Sequence, residues 1–261
     1  MDVNRLSPSD IRGEKADHVA YHAPRWAFLL GLVERYLPDS NHRVLDIGRS
    51  EFTELMRAVF RIKVDSLGLG PDHSSGDGDH YHFDLNSSQN SSQRRKDLPT
   101  YDIIVMGEVI EHLHTSPKLV LSFLKSLLNP GGILILTTAN AAALGKRLGL
   151  LIGRNPYDLI AENDQDPDHF REYTMDELER YAAASGFAVE EKTFSHYQDY
   201  RFRVDRPKAR LWAGTLLGRK FFGTLMNWTY ALVPRGLKPC LCIVIRKGTQ
   251  DRQLCDETSK I

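Results

Sequence analysis

The chain has 261 residues, and its 34 Lys and Arg residues balance its 34 Asp and Glu residues, so the formal charge at pH 7 is zero. This balance of charges argues against a protein that binds nucleic acids in general through contacts to their phosphates. No apolar run reaches the roughly 18 residues that a transmembrane helix needs, and residues 1–8 lack the apolar core of a signal peptide. We therefore expect one domain in the cytoplasm.

Cysteine usage indicates reduced thiols. Cys240 and Cys242 would point to the same side of one strand, and with Cys255 they make an odd set without CxxC spacing. That pattern favours neither a disulfide framework nor a zinc site.

Positive charge is concentrated near the carboxyl terminus. Between residues 199 and 247, eleven Lys and Arg residues are accompanied by two acids, Asp199 and Asp205. An anionic partner, such as a phospholipid surface or a phosphorylated substrate, would meet this end of the chain first.

Strand and helix patterns alternate along the chain. Short apolar runs between turn signals are typical of strands covered on both faces, and apolar residues at helical spacing mark the helices. In chain order we predict a helix over 22–37, a strand over 43–48, a helix over 52–60, strands over 62–69, 80–85 and 101–106, a helix over 117–128, a strand over 133–138, a helix over 175–185, and strands over 187–194 and 241–245. Because a helix between two buried strands forces a parallel pair, this pattern predicts an α/β fold with a mostly parallel, Rossmann-like sheet of seven strands.

Turn and capping residues mark several ends of these elements. Ser116 caps one predicted helix, and the Asn-Pro-Gly-Gly run at 129–132 ends it. Thr174 and Glu177 form the capping box of another helix. The polar stretch 72–80 is predicted to be a flexible loop.

The chain is predicted to form a single domain over residues 22–247. The ends, 1–21 and 248–261, are expected to be flexible tails. Residues 206–236 are predicted to form a helical insertion or cap.

A glycine directly after the first strand, Gly48, lets the backbone turn sharply and brings a ligand close to the next helix. A dinucleotide fold would have further glycines where this chain has Ser50 and Thr53, and Glu51 places negative charge where a phosphate would lie. The site should therefore prefer a nucleoside without a phosphate tail, which disfavours a nicotinamide dehydrogenase.

Two acids follow the second and third strands. Asp84 could accept a hydrogen bond from an adenine amino group, and Asp72 could accept two from a ribose. Either could instead be an ordinary loop acid. Asp65 is a rival ribose ligand, but it lies inside a strand.

Four motifs together resemble class I S-adenosylmethionine-dependent methyltransferases. They are Val44-Leu-Asp-Ile-Gly48, Asp84-Leu-Asn86, Tyr101-Asp-Ile-Ile-Val-Met-Gly-Glu-Val-Ile-Glu-His-Leu113 and Leu127-Leu-Asn-Pro-Gly-Gly-Ile-Leu-Ile-Leu-Thr-Thr138. Within this family the chain is most similar to quinone-biosynthesis O-methyltransferases, enzymes of cell-surface sugar and lipid pathways, and small-RNA 3'-end methyltransferases. The resemblance implies that S-adenosylmethionine is the cofactor. The residues predicted to bind it are Asp46, Gly48, Arg49, Ser50, Asp72, Asp84, Leu85, Gly107 and Glu108.

The cofactor loop departs from the family pattern. The family has three alternating glycines, of which residues 46–52 keep only Gly48, and the bulky Phe52 would crowd a ligand unless it turns into the core. The ribose acid of the family aligns near Gly70, so Asp72 would have to take its role. These departures motivate a second hypothesis, a non-catalytic binding protein that kept the fold. Arg49 is expected to pair with the methionine carboxylate of the cofactor, or to be simply solvated.

The resemblance also implies where the chemistry takes place. It places Glu108, Glu111 and His112 beside the transferred methyl group, and it places His169 across the same mouth. We predict His112, His169 and Glu111 as catalytic residues, with a histidine as general base toward a hydroxyl acceptor. The alternatives are a histidine that bonds a backbone carbonyl at a helix start and a solvated acid in the first turn.

A divalent metal is a further alternative. The small-RNA branch binds a metal through Glu-x-x-Glu-His and a later histidine, and Glu108, Glu111, His112 and His169 match these positions. Such ligands suit magnesium, manganese or zinc, which could polarise a diol or catechol acceptor.

The apolar segment 211–233 bears on the substrate. As a helix it would carry large apolar side chains with Arg219 and Lys220 to one side, as an interfacial membrane anchor does. Packing against the sheet explains the same pattern. The predicted partner is a small or lipid-linked acceptor, such as a saccharide or quinone precursor, with peripheral contact at the inner face of a membrane.

Overall fold

The computed structural model describes residues 16–37, 42–157, 159, 169–198, 200 and 216–249. In these residues the strands form one sheet with helices packed on both faces. The strands are β1 (Val44–Ile47), β2 (Val64–Gly68), β3 (His73–Ser75), β4 (Gly78–His82), β5 (Tyr101–Gly107), β6 (Leu128–Ala139), β7 (Phe187–Ser195) and β8 (Cys240–Lys247). The α-helices are α1 (Ala16–Tyr36), α2 (Glu51–Phe60), α3 (Pro117–Leu127), α4 (Leu144–Leu151), α5 (Met175–Ala184) and α6 (Leu216–Leu232). Short 3-10 helices cover Leu85–Gln89, Ile110–His112 and Arg235–Leu237.

The strand order is β3-β4-β2-β1-β5-β6-β8-β7. β1 pairs in parallel with both β2 and β5, β5 pairs in parallel with β6, and β8 is antiparallel to both β6 and β7. The chain therefore reverses its direction of winding between β1 and β5, where open α/β sheets bind their ligands.

The apolar run of β5 shows why the sheet is buried on both faces. Ile104 and Met106 pack in the core layer that includes α3 and α5. Ile103 and Val105 face the opposite layer, where they meet α1 and α2. Successive side chains of a strand alternate between faces, so a continuous apolar run fits this position.

The predicted Rossmann-like fold is confirmed, with eight strands rather than seven. The additional strand is β3, which pairs antiparallel with β4 inside the stretch 72–80 that the sequence predicted as loop. All three β3 residues are exposed, so the hairpin has no apolar pattern to reveal it. Gly78, with φ +140°, allows the hairpin to approach β2, because a Cβ there would lie 2.1 Å from the Val64 carbonyl oxygen.

The helices differ from expectation in three places. α1 begins at Ala16, six residues before the predicted start, and continues through Pro24. α4 was not predicted, and none of its side chains is buried. α6 forms the later part of the predicted insertion, whereas residues 206–215, like 1–15 and 250–261, lie outside the described residues.

Cys240 and Cys242 are buried free thiols on β8, and burial raises the pKa of both to about 12. The remaining cysteine, Cys255, lies outside the described residues. Within the described part of the chain, no helix is both long and apolar enough to cross a bilayer.

Candidate active site

A cavity of about 260 Å³ lies at the carboxyl ends of β1 and β5. Six of the residues predicted to bind a cofactor line it, namely Asp46, Gly48, Arg49, Ser50, Gly107 and Glu108. α1 contributes Arg25, Trp26 and Leu29 to the opposite wall. The strand-end position and the lining make this cavity the candidate cofactor site.

A larger cavity, of about 720 Å³, lies between α3 and the loop before β5. Two of its cations are engaged, because Arg95 pairs with Asp72 and Asp97, and the Arg94 Nε–H donates to the Ser88 carbonyl. This cavity is at the amino end of β5, away from the ligand edge of the sheet. We therefore assign function to the smaller cavity.

Gly48 makes the turn out of β1. Its φ of +83° is a left-handed conformation that favours glycine, and its N–H donates to the Leu67 carbonyl at 2.8 Å. A Cβ on Gly68, at the end of β2, would lie 3.4 Å from the Gly48 Cα. The close approach of these two backbones shapes the floor of the cavity.

The next part of the loop is a capping box. The Ser50 side chain accepts from the Phe52 N–H, and the Thr53 hydroxyl accepts from the Ser50 N–H at 3.1 Å. The Thr53 hydroxyl in turn donates to Asp46 at 2.6 Å. Residues at positions where a dinucleotide fold has glycines therefore cap α2 from within the chain. Phe52 is buried in the core, and it also lines the cavity.

Asp46 lies at the end of β1 beneath this loop. Burial raises the pKa of its carboxyl to about 7, while the hydroxyl of Thr53 and the positive charges of Arg57 and Arg25 act in the opposite direction. Asp46 therefore lies close to its protonation midpoint near neutral pH.

Glu108 follows β5 in a left-handed conformation, with φ +55°. A side chain at positive φ is strained, so such positions are often functional. Its carboxylate lies 3.8 Å from the Arg25 guanidinium, and both side chains are mostly buried. Glu108 Oε1 and Arg25 Nε have no hydrogen-bond partner among the described residues, which leaves one acceptor and one donor available to a ligand.

Glu111 is fully buried on the 3-10 turn after β5. Its Oε2 accepts from the Thr138 hydroxyl at 2.8 Å, whereas Oε1 has no hydrogen-bond partner within the described part of the chain. Burial, together with the negative charge of Glu108, raises its pKa to about 8. Glu111 is thus a buried acid on the turn that follows β5 rather than a solvated first-turn residue.

His112 and His169 meet at the same edge. Their rings are 5.0 Å apart in an edge-to-face arrangement. The backbone N–H groups of Phe170 and Arg171 donate to the Glu111 carbonyl, which holds the segment after β6 against the turn after β5. All three predicted catalytic residues therefore lie together.

Glu172 orients His169. Its Oε1 lies 2.9 Å from His169 Nδ1, and its other carboxylate oxygen pairs with Lys146 of α4. This contact fixes the orientation of the His169 ring. The sequence predicted a role for neither Glu172 nor Lys146, since neither belongs to a recognised motif.

Three of the four predicted metal ligands cluster. The ligand atoms of Glu111, His112 and His169 lie within 4.8 Å of one another. Glu108 is not part of this group and pairs with Arg25 instead. One carboxylate and two imidazoles suit a divalent transition metal better than magnesium.

The predicted adenosine ligands lie apart from the cavity wall. Asp72 is held by the His82 N–H and by Arg95, and these contacts lower the pKa of its carboxyl. Asp84 caps the 3-10 helix that begins at the buried Leu85, accepting from the Asn86 N–H at 2.9 Å. Their predicted contacts to adenine and ribose remain predictions.

An S-adenosylmethionine fits the donor set of this site. The left-handed Gly48 admits a ligand close to the backbone, and the unpartnered Arg25 Nε suits a carboxylate. The capping box occupies the Phe52 N–H, which a phosphate at the start of α2 would require. Both features favour a nucleoside with an amino-acid tail over a dinucleotide.

Comparison with known proteins gives a consistent result. The sequence model of a family described as a methyltransferase domain matches residues 20–192, which is more than half of the chain. No curated protein sequence matches the chain.

Solved structures share the fold. A SAM-dependent methyltransferase from Archaeoglobus fulgidus is 19% identical with a TM-score of 0.50, covering 85% of this chain and 94% of that one. Coclaurine N-methyltransferase, solved with N-methylheliamine and SAH, is 14% identical with a TM-score of 0.50, covering 85% and 72%. The [4+2]-cyclase SpnF is 16% identical with a TM-score of 0.50, covering 87% and 82%.

The family match covers most of α1, the cavity at β1 and β5, and the cluster of Glu111 and His169. The chain therefore belongs to the methyltransferase-domain family and is a class I S-adenosylmethionine-dependent methyltransferase.

Proposed function

We propose that this methyltransferase acts on oxygen of a small or lipid-linked acceptor, such as a saccharide or a quinone precursor. The observation that carries the proposal is the pair of His112 and His169, whose rings lie 5.0 Å apart where His112 follows β5, the strand whose end borders the cofactor cavity. A hydroxyl acceptor must lose a proton during methyl transfer, and an imidazole at this edge could accept that proton.

When bound, S-adenosylmethionine would supply an electrophilic methyl group. The acceptor oxygen would bond to its carbon in line with the breaking carbon–sulfur bond, and S-adenosylhomocysteine would leave. The protein's task is chiefly to align the acceptor with that methyl group. Gly48, Arg25 and Glu108 would hold the cofactor, with Arg25 toward its carboxylate. The predicted pairing of Arg49 with that carboxylate is an alternative for the same role, since Arg49 is an exposed residue on the cavity rim.

His169 is the better supported base of the two histidines. Glu172 contacts its Nδ1, and Lys146 pairs with Glu172, so these two residues fix the orientation of the imidazole. His112 lies against its ring and would contact the acceptor or share the proton. Glu111, whose pKa is raised to about 8, would then be protonated near neutral pH and could donate a hydrogen bond from its unpartnered carboxyl oxygen.

Isothermal titration calorimetry tests the cofactor part of this proposal. The protein should bind S-adenosylmethionine and S-adenosylhomocysteine and should not bind NAD. Binding of NAD would instead favour a dehydrogenase, and binding of none of the three would favour a non-catalytic protein that kept the fold.

Acceptor chemistry is tested by measuring S-adenosylhomocysteine release with matched acceptor pairs. A catechol presents two neighbouring hydroxyls to the histidines, whereas its mono-methyl ether presents one. An amine analogue replaces the attacking oxygen with nitrogen. Turnover with the catechol or a sugar hydroxyl supports O-methylation. Turnover restricted to the amine would refute it.

Metal assistance is a second candidate, favoured by the grouping of Glu111, His112 and His169. A metal there would polarise a diol acceptor. Removing divalent ions with a chelator should then abolish turnover, and zinc or manganese should restore it. Full activity after exhaustive chelation would exclude this variant while leaving the histidine base intact.

A further inference from the structure

α4 and α6 expose apolar side chains that nothing in the described part of the chain covers. On α6, Phe221, Leu225, Trp228 and Leu232 follow one another at helical spacing and are 51–78% exposed. Leu148 and Leu151 of α4, with Ile152 just after it, repeat this pattern at 52–81% exposed. We call these seven side chains the apolar rim.

The two halves of the apolar rim belong to one corner of the molecule. The Asn140 amide, just before α4, donates to the carbonyls of Gly236 and Lys238, just after α6. A Cβ on Gly145 of α4 would lie 3.5 Å from the Tyr230 hydroxyl of α6. The adjoining ends of the two helices are therefore held together.

This corner lies beside the active-site mouth. α4 begins after the carboxyl end of β6, and its Lys146 pairs with Glu172, the residue that orients His169. The apolar rim is therefore part of the same edge of the sheet as the catalytic cluster.

Positive charge accompanies the apolar rim. Residues 141–157 and 216–239 contain no Asp or Glu. They contain seven Lys and Arg residues, namely Lys146, Arg147, Arg154, Arg219, Lys220, Arg235 and Lys238, and the first of these pairs with Glu172. Apolar side chains accompanied by positive charges complement an anionic lipid bilayer.

We propose that the apolar rim docks on an anionic phospholipid surface. A second copy of this chain is a poorer occupant, since a symmetric dimer would place one patch against its own image and bring like charges together. No described helix could span a bilayer, so the contact is interfacial, with the apolar side chains entering the headgroup region. This geometry turns the mouth toward the membrane and deepens the proposed function, because a lipid-linked acceptor would then reach the histidines directly.

Vesicle sedimentation tests the proposal independently of methyl transfer. The full chain should sediment with phosphatidylglycerol-containing vesicles and much less with phosphatidylcholine vesicles, and high salt should release it. The double variants Leu148→Ser with Leu151→Ser, and Phe221→Ser with Trp228→Ser, should each weaken partitioning about tenfold or more. Leu69→Ser is the matched control, because Leu69 is 69% exposed but lies outside the apolar rim.

Each result decides the proposal. Binding that falls in both double variants and not in the Leu69 variant supports it. The proposal is overturned if the unmodified protein does not bind anionic vesicles, or if the two double variants bind them as well as the unmodified protein does. Sedimentation velocity without lipid tests the alternative occupant. If the unmodified protein is a dimer and the same substitutions make it a monomer, the surface binds a second copy of the chain instead of lipid. A protein that docks on vesicles but fails to bind S-adenosylmethionine would contradict the proposed function alone.

Discussion

The loops after β1 and β5 border the same cavity but use their polar groups differently. In the first loop the Ser50 and Thr53 side chains and the Phe52 N–H hydrogen-bond within the chain. In the second, Glu108 Oε1 and Glu111 Oε1 are buried without a hydrogen-bond partner among the described residues. An unpaired buried polar atom costs free energy, so a protein that keeps two of them in one loop reserves them for a ligand or a reaction.

The hydrogen bonds of the first loop give a reason for the glycines that it lacks. The first loop departs from the family pattern because its side chains have become helix caps, and this favours stability. On the proposed function, the second loop keeps the family residues because their binding and acid–base properties would be needed. Substitutions in the first loop should therefore change stability, and substitutions in the second loop should change turnover or binding.

The largest effect is expected at the histidines. His112→Ala and His169→Ala should each lower the turnover number by about 10²- to 10⁴-fold, because each removes an imidazole that accepts or positions the acceptor proton. The affinity for S-adenosylmethionine, measured by calorimetry, should stay within a few-fold of the unmodified protein. His114→Ala is the control, since His114 lies on the same loop but is exposed. Full activity in both variants would refute the assignment.

Arg25→Ala should produce the next largest effect. Losing a charged hydrogen bond to the cofactor carboxylate should weaken S-adenosylmethionine binding by about 10- to 100-fold. Arg35→Ala is the matched control, because Arg35 also lies on α1 but pairs with Glu191 at 2.6 Å. An unchanged affinity in Arg25→Ala would instead favour Arg49 as the carboxylate ligand, and Arg49→Ala would then weaken binding.

Asp46 tests the first loop through pH. The pKa of Asp46 is raised from 3.8 to about 7, so the native state holds a proton that the unfolded state has lost between those values. The contribution of Asp46 to stability therefore falls as pH rises from about 4 to 7 and then levels off. Asp46→Asn lacks this titration, and the Thr53 hydroxyl can still donate to its amide oxygen.

The matching measurement is urea unfolding at pH 5 and pH 8. Relative to the unmodified protein, Asp46→Asn should gain stability between the two pH values, on the order of 2 kcal/mol. If the stability difference between Asp46→Asn and the unmodified protein is the same at both pH values, then the Asp46 carboxyl ionises normally in the native state. The effect of burial on its pKa would then be wrong.

Much of this arrangement could be predicted from sequence because it is local. The apolar run of β5, the turn at Gly48 and the capping box at Thr174 are each encoded within a few residues, and the resulting parallel order brings β1 beside β5. The meeting of His112 with His169 required the family resemblance, since 57 positions in the printed sequence separate them.

Other parts of the site could not be predicted because tertiary contacts create them. Arg25 reaches Glu108 from a helix whose pattern showed only an apolar face. The Asp72 carboxylate is engaged by Arg95, a residue in a polar stretch with no distinguishing pattern. The eight residues of α4 have none of the buried positions that make a helix predictable.

The smallest effect is expected at the caps, and it tests the division between the loops most directly. Ser50→Ala removes the hydroxyl that accepts from the Phe52 N–H, and it should lower the free energy of unfolding by about 1 kcal/mol, whereas Ser50→Gly should lower it by only a few tenths. Thr174→Ala, at the other capping box, should cost about as much as Ser50→Ala. If the first loop is a cap, then S-adenosylmethionine affinity should change little in all three variants. A tenfold loss of affinity in Ser50→Ala alone would show that its hydroxyl contacts the cofactor, and the first loop would then be a ligand-binding loop like the second.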